Sequence, residues 1–265
     1  MKKLLALVLA LVMLVLCFAG CGESKKIVVA EQGSAGEEIA KNEDDFADYQ
    51  YNPVDKMTKA LMEVSAGTAD AAVVDYVTSI GSIGEGTDYA DLEVSGDGYG
   101  AEEYGIAFRK GSDITAKVNE TIKFLKDNGK LNEIATKYKL DSLITADSTF
   151  EAFKQAESNS DWEYIKNKGE LIIGMTIFNP MNYHDADGKL VGFETEFAEA
   201  VCAELGVKAK FQEINWDAKE TELAAKNIDC IWNGMTITEE RAQNMSVSIP
   251  YMNNKQVMVV KKADK

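Results

Sequence analysis

Arginine is the side chain best shaped to grip a carboxylate, because its planar fork offers two parallel N–H donors. The stretch NGMTITEERAQNMSVSIPY (233–251) sets Arg241 shortly after a glycine–threonine loop formed by Gly234, Thr236 and Thr238. The run before it, NIDCIWNG, reads as a buried strand. Small residues that expose backbone N–H groups, hydroxyls and a guanidinium together form a seat for an anion. The plainer alternative is a capped helix with Arg241 as a solvated surface charge. An acid of opposite use stands at the end of another apolar run, AAVVDY, where Asp75 is placed to receive an ammonium or to cap the next helix. Phe178, after the strand ELIIGMTIF, and Trp216, after KAKFQEIN, offer rings to sandwich an aliphatic stem or to fill a core. A carboxylate clamp, an ammonium acceptor and aromatic walls match a free α-amino acid.

Positioning such groups calls for strands that end on a common edge, and the chain alternates strands with helices throughout. Residues 25–42 read as strand, glycine turn and helix, with Glu37 and Glu38 in the helix's favourable first turn. Residues 53–76 give a helix, with Met57, Leu61 and Met62 at helical spacing, followed by a buried strand. YGIAF (104–108) is a strand. Residues 114–140 are two amphipathic helices broken at Asn128–Gly129, and 141–163 has the composition of a linker. FETEFAEAVCAELGV is a helix closed by Gly206. This alternation predicts an α/β fold with mostly parallel sheets, whose ligands sit beyond the carboxyl ends of the strands.

Other features exclude function classes. The net charge of −16 over 265 residues leaves no basic field for nucleic acid. YHDADGKLVGFE (183–194) approaches a calcium loop, but Tyr183 stands where a carboxylate is required, so a turn at Asp187–Gly188 is expected. GSIGEG (81–86) is an incomplete dinucleotide fingerprint, and the single histidine, His184, lies in a polar turn. No metal site, cofactor site or catalytic residue is indicated. Cys202 and Cys230 read as buried small hydrophobes, with a disulfide as the alternative.

Lys2 and Lys3 precede an apolar run from Leu4 to Ala19, shorter than the ~20 residues of a membrane span. FAGC (18–21) resembles a bacterial lipobox, although Phe18 departs from the usual leucine. The expectation is a signal peptide over 1–21, lipidation at Cys21 and a tether over 22–26. A plainly secreted protein or an uncleaved anchor is the alternative.

The segments ELIIGMTIFNPMNYHDADGKLVGFETEFAEAV, NIDCIWNGMTITEERAQNMSVSIPYMNNKQVMVV, KKIVVAEQGSAGEE, GTADAAVVDY and EEYGIAFRKGSD resemble the amino-acid-binding lipoproteins of ABC uptake systems, which have the two-lobed type II periplasmic-binding-protein fold. The order of the segments is reversed relative to that family, as in a circular permutation. The resemblance implies lobe II over 27–100 and lobe I over 101–265, with the linker 141–163 bridging the family's usual ends and only YGIAF crossing between lobes. Each lobe would be a mostly parallel sheet flanked by helices. It also implies roles: Arg241 with Thr236 and the Gly234 amide on the α-carboxylate, joined by Ser34, which as a residue alone reads equally as a helix cap; Asp75 on the α-ammonium; Phe178 and Trp216 as walls; Tyr76 and Asn233 towards the side chain. Met175 stands where members for basic amino acids or glutamine carry an aspartate, which implies a polar or neutral ligand. The expected protein is a monomeric, membrane-anchored, non-enzymatic receptor working with a membrane ABC permease. The rivals are a small-acid dehydratase on the same fold, a sensor, and a rearranged product that binds nothing.

Overall fold

The computed structural model describes residues 25–145 and 160–263, so the expected signal peptide and the lipidation site at Cys21 lie outside the described residues. Two groups of parallel strands, joined by two long antiparallel strands, make one continuous sheet.

The first wing holds β1 (Lys26–Glu31), β2 (Tyr49–Val54) and β3 (Ala71–Asp75). β1 is central and pairs in parallel with both neighbours. Its Val28, Val29 and Ala30 are buried, as a strand covered on both faces requires. Helices α1 (Ala35–Asn42) and α2 (Met57–Ala66) connect the strands, and α3 (Tyr76–Ser82) follows β3 directly. α2 buries Met57, Ala60, Leu61 and Val64. Met62 was expected on that face but is 51% exposed. At about 100° per residue, Met62 lies a step round the helix from the stripe that Leu61 belongs to.

The second wing holds β5 (Glu170–Met175), β8 (Lys208–Glu213) and β9 (Cys230–Thr236), with β5 parallel to both others. Helices α4 (Ile114–Asp127) and α5 (Lys130–Lys137) meet at Gly129, as the sequence predicts. α6 (Asp161–Lys168) belongs to this wing and not to a linker. Arg109 holds it there, with Nε 3.0 Å from Asp161 and NH2 3.7 Å from Asp229. Helix α7 (Phe193–Leu205) ends on a left-handed Gly206 and packs Phe197 edge-on against the fully buried Trp232, centroids 5.1 Å apart. Cys202 and Cys230 are free, buried thiols. The near-calcium loop is a hairpin of β6 (Tyr183–His184) and β7 (Leu190–Val191), with Asp185 closing the turn onto the Asp187 and Lys189 amides.

Two strands link the wings, which corrects the expectation of a single crossing at Tyr104–Phe108. β4 (Leu92–Arg109) and β11 (Met252–Lys261) run antiparallel, from β3 on one side to β9 on the other. Their ladder shifts register between Asn254 and Gln256 and again between Gln256 and Met258. Gly98 lies in this stretch with φ +86°, and a Cβ there would come within 2.7 Å of the Gln256 carbonyl oxygen. The shifts loosen the ribbon where it passes from one wing to the other, a place where β-bulges concentrate twist and bending.

Candidate functional site

β1, β3 and β9 end at Glu31, Asp75 and Thr236, which meet in one cleft between the wings, and the chain after β5 brings Phe178 to it. Contacts across the cleft draw the wings together. Lys56 pairs with Glu213, Gln32 donates to Asp217 at 3.2 Å, and Asn179 donates to the Gly81 carbonyl at 3.1 Å. They close over a narrow cavity.

Eight of the nine sequence-derived site residues line this cavity: Arg241, Asp75, Thr236, Gly234, Ser34, Phe178, Trp216 and Asn233. Tyr76 does not; its ring lies under the Lys255 ammonium, 5.3 Å away. Glu31, which the sequence offers only as an acid–base group for the dehydratase alternative, also lines the cavity, as do Ala35 and Met57, which were not anticipated.

Arg241 rides on the short helix α9 (Glu239–Asn244), whose first turn is capped by the Thr238 hydroxyl. Its guanidinium donates to the Thr236 carbonyl at 2.8 Å and, across the cleft, to the Gly33 carbonyl at 3.3 Å. Among the described residues it pairs with no carboxylate, so its charge is left for another partner. Lys219 stands behind it, 4% exposed, donating to the carbonyls of Gly33 at 2.9 Å and Trp216 at 3.2 Å. Burial, then the neighbouring Arg241, lowers the Lys219 pKa to about 8.

Asp75 occupies the N-cap position of α3, but its side chain caps nothing there. It turns into the site and accepts from Asn254 at 2.8 Å and from Gln256 at 2.5 Å. Both amides also donate to Glu102, at 2.9 and 3.0 Å. Burial, with Glu102 adding repulsion, raises the Asp75 pKa to about 7. A cation bound beside Asp75 would relieve both effects.

Several polar groups at the cavity wall are already engaged inward. The Gly234 amide, expected on a ligand carboxylate, donates to Glu194 at 2.8 Å, and the Tyr251 hydroxyl donates to the same oxygen. Glu194 is buried, which pushes its pKa to about 7. The Asn233 amide bonds to Thr176 and Asn182. The Ser34 hydroxyl accepts from the Glu37 amide at 3.2 Å, so it serves as a helix cap while facing the cavity. Phe178 and Trp216, 2% and 4% exposed, are buried walls. Among the described residues no group of acids, histidines and cysteines is arranged to hold a metal.

The cleft therefore presents an unpaired guanidinium and a buried carboxylate between apolar walls. Comparison with known proteins points the same way. Residues 171–265 match the bacterial extracellular solute-binding proteins, family 3. The L-cystine-binding protein TcyJ of Escherichia coli is 38% identical over 88 residues, 33% of each chain. A probable amino-acid ABC transporter-binding protein of Haemophilus influenzae is 33% identical over 124 residues, 46% of this chain and 48% of that one. The arginine-binding extracellular protein ArtP of Bacillus subtilis is 32% identical over 121 residues, 45% and 46% of the two chains. The matched segments thus span a third to about half of these relatives. A solved structure of a mutant of arginine-bound domain 1 from TmArgBP is 34% identical and covers 39% of this chain and 86% of that one, with a TM-score of 0.34. The similarity is therefore to the bacterial extracellular solute-binding proteins, family 3, and the family model extends over residues 171–265.

Proposed function

We propose that this protein is an extracytoplasmic receptor that captures a polar or neutral L-amino acid between two lobes, without catalysing a reaction, and delivers it to a membrane ABC permease. In this reading Arg241 takes the α-carboxylate, Asp75 the α-ammonium, and Phe178 and Trp216 enclose the stem. The observation that carries it is a guanidinium without a carboxylate partner, sharing one inter-wing cavity with a buried Asp75. The cystine-, arginine- and amino-acid-binding relatives support the amino-acid part of the reading, in which the chain is a circular permutation with lobe II near 27–100 and lobe I near 101–265. The chain is a monomer held to the membrane by a lipid on Cys21. A thermal-shift screen of residues 22–265 against the twenty amino acids and cystine tests the reading. A ligand at a hundred times its dissociation constant adds roughly 2.7 kcal/mol of stability, and no shift with any of them would reject it.

Closure itself can be tested at Gly81, in helix α3. A Cβ there would lie 2.7 Å from the Asn179 side-chain oxygen and 2.8 Å from Pro180, both on the opposite wing. Alanine suits a helix better than glycine, by about 1 kcal/mol, so Gly81→Ala should leave its own lobe intact and obstruct only the approach of the other. The expected result is a larger radius of gyration by small-angle scattering and an affinity for the screened ligand lower by roughly tenfold, about 1.4 kcal/mol. Unchanged scattering and affinity would show that closure does not pass through this contact.

A further inference from the structure

Glu31 ends β1 and is 3% exposed, yet its Oε1 has no hydrogen-bond partner among the described residues. A buried carboxylate oxygen without a donor is costly, and this one lines the same cavity as Arg241 and Asp75. The nearest cations are committed elsewhere. Lys219 donates to two carbonyls, and Lys56 pairs with Glu213. The neighbouring wall atoms of Met57, Phe178 and Trp216 donate nothing to it, and the Asn233 amide is bonded to Thr176 and Asn182. The ionisable groups lining the cavity are thus one guanidinium and two carboxyl groups. An amino-acid zwitterion neutralises Arg241 with its carboxylate and Asp75 with its ammonium, and Glu31 is left over.

We infer that Glu31 is the specificity residue of the cleft, and that the ligand is an amino acid whose short side chain ends in a second protonated amine received by the Glu31 carboxylate. This rests on the amino-acid reading above and replaces its polar or neutral ligand with a cationic one, a diamino acid. Position sets the length. β1 and β3 are adjacent and parallel, with Val28 beside Ala71 and Val29 beside Ala72, so Glu31 stands level with Val74, next to Asp75. Two carboxylates at neighbouring strand ends suit two amines separated by a few bonds. The cavity between the closed wings is narrow. A wider funnel adjoins it, sharing Ser34, Thr236 and Arg241, and Glu38, Glu102, Glu220, Glu239 and Glu240 line its walls. An acidic funnel concentrates cations at the mouth of a site. Phe178, Trp216, Asn233, Gly234, Thr236 and Arg241 line the cavity from the second wing without an acid, so both carboxyl groups come from the first.

A proton should move with the ligand. The groups facing Glu31 are Asp75 on β3, Lys219 at the start of the helix Lys219–Ala224, and Asp55 and Lys56 ahead of α2. Burial foremost, with Asp75 next, raises the Glu31 pKa to about 8. At neutral pH the empty cleft therefore holds Glu31 mostly protonated, and an arriving ammonium would ionise it and expel the proton.

The test is calorimetry on residues 22–265, which contain every described element, with 2,4-diaminobutyrate and ornithine against their neutral counterparts 2-aminobutyrate and norvaline. The diamino acids should bind at least tenfold more tightly. Their binding should release a proton, seen as a heat that changes with the buffer's ionisation enthalpy, and should strengthen from pH 6 to pH 8.5. Glu31→Gln should remove both the preference and the proton release. Equal or tighter binding of the neutral pair, or a preference that survives in Glu31→Gln, overturns this inference and leaves the amino-acid reading standing. Absence of binding by all four overturns this inference, while the amino-acid reading is overturned only if the thermal-shift screen is also blank.

Discussion

Arg241→Ala should lower the affinity for whichever amino acid stabilises the wild-type chain by at least a hundredfold, about 3 kcal/mol. A carboxylate buried opposite an alanine loses two charge-assisted hydrogen bonds and keeps its desolvation cost, and truncating one partner of such a pair typically costs 2–5 kcal/mol. The unliganded protein should barely notice. Arg241 bonds only to the carbonyls of Thr236 and Gly33, and no acid among the described residues depends on it for neutralisation. Arg241→Lys should fall between the two, because a lysine restores the charge but not the fork. Calorimetric affinity measured beside the ligand-free melting temperature separates the cases. A melting temperature that drops as far as the affinity would identify Arg241 as a structural residue.

Gly192→Ala should be among the most destabilising substitutions in the chain, costing more than about 3 kcal/mol. Gly192 precedes α7 with φ +129°, and a Cβ there would lie 2.2 Å from the Met181 carbonyl oxygen and 2.6 Å from its carbon. Those are backbone atoms, and they are tied down. The Phe193 and Glu194 amides donate to the Pro180 and Met181 carbonyls at 2.9 and 3.0 Å, and the Phe178 amide donates to Asn182 at 2.8 Å. The loop cannot retreat without breaking these bonds, and it is the loop that carries Phe178 to the cleft. Gly188→Ala is the matched control. Its φ is also positive, at +78°, but nothing lies within 4 Å of the added carbon. It should cost only about 1 kcal/mol of backbone strain. Chemical denaturation of both variants measures the difference, and comparable losses in the two would refute the steric argument.

The sequence discloses most where periodicity and motif coincide. The units 25–42 and 57–75 alternate apolar strands with amphipathic helices, and the structure forms them at nearly those bounds. β2 was illegible because its residues are mostly half-exposed and include Pro53 at the sheet's edge, where a missing N–H is tolerated. The first half of β4 was hidden by Gly96, Gly98 and Gly100, all with positive φ, which break the alternation that marks a strand. β11 begins with Asn253, Asn254 and Lys255, and so resembles a loop until its partners are known. In the cleft, Arg241 and Asp75 stood out by charge at the ends of apolar runs. Glu31 did not, since a glutamate before Gln-Gly reads as the entry to a turn; its one signal was its place at the end of Ile27–Ala30. The Glu194 contacts with Gly234 and Tyr251 join residues 40 and 57 positions apart, and no local pattern announces a pairing of that range.

The hinge ribbon has a mechanical consequence. Asn254 and Gln256 flank the first slip in its ladder, and their amides are also the ones that hold Asp75. Under the proposed function, the seat of the ligand and the hinge of the two lobes are therefore one piece of chain, with almost no lever arm between them. A force applied at Asp75 reaches the pivot through single hydrogen bonds, without first deforming either lobe. Grip and swing are geared together, so a change that tightens one should retune the other.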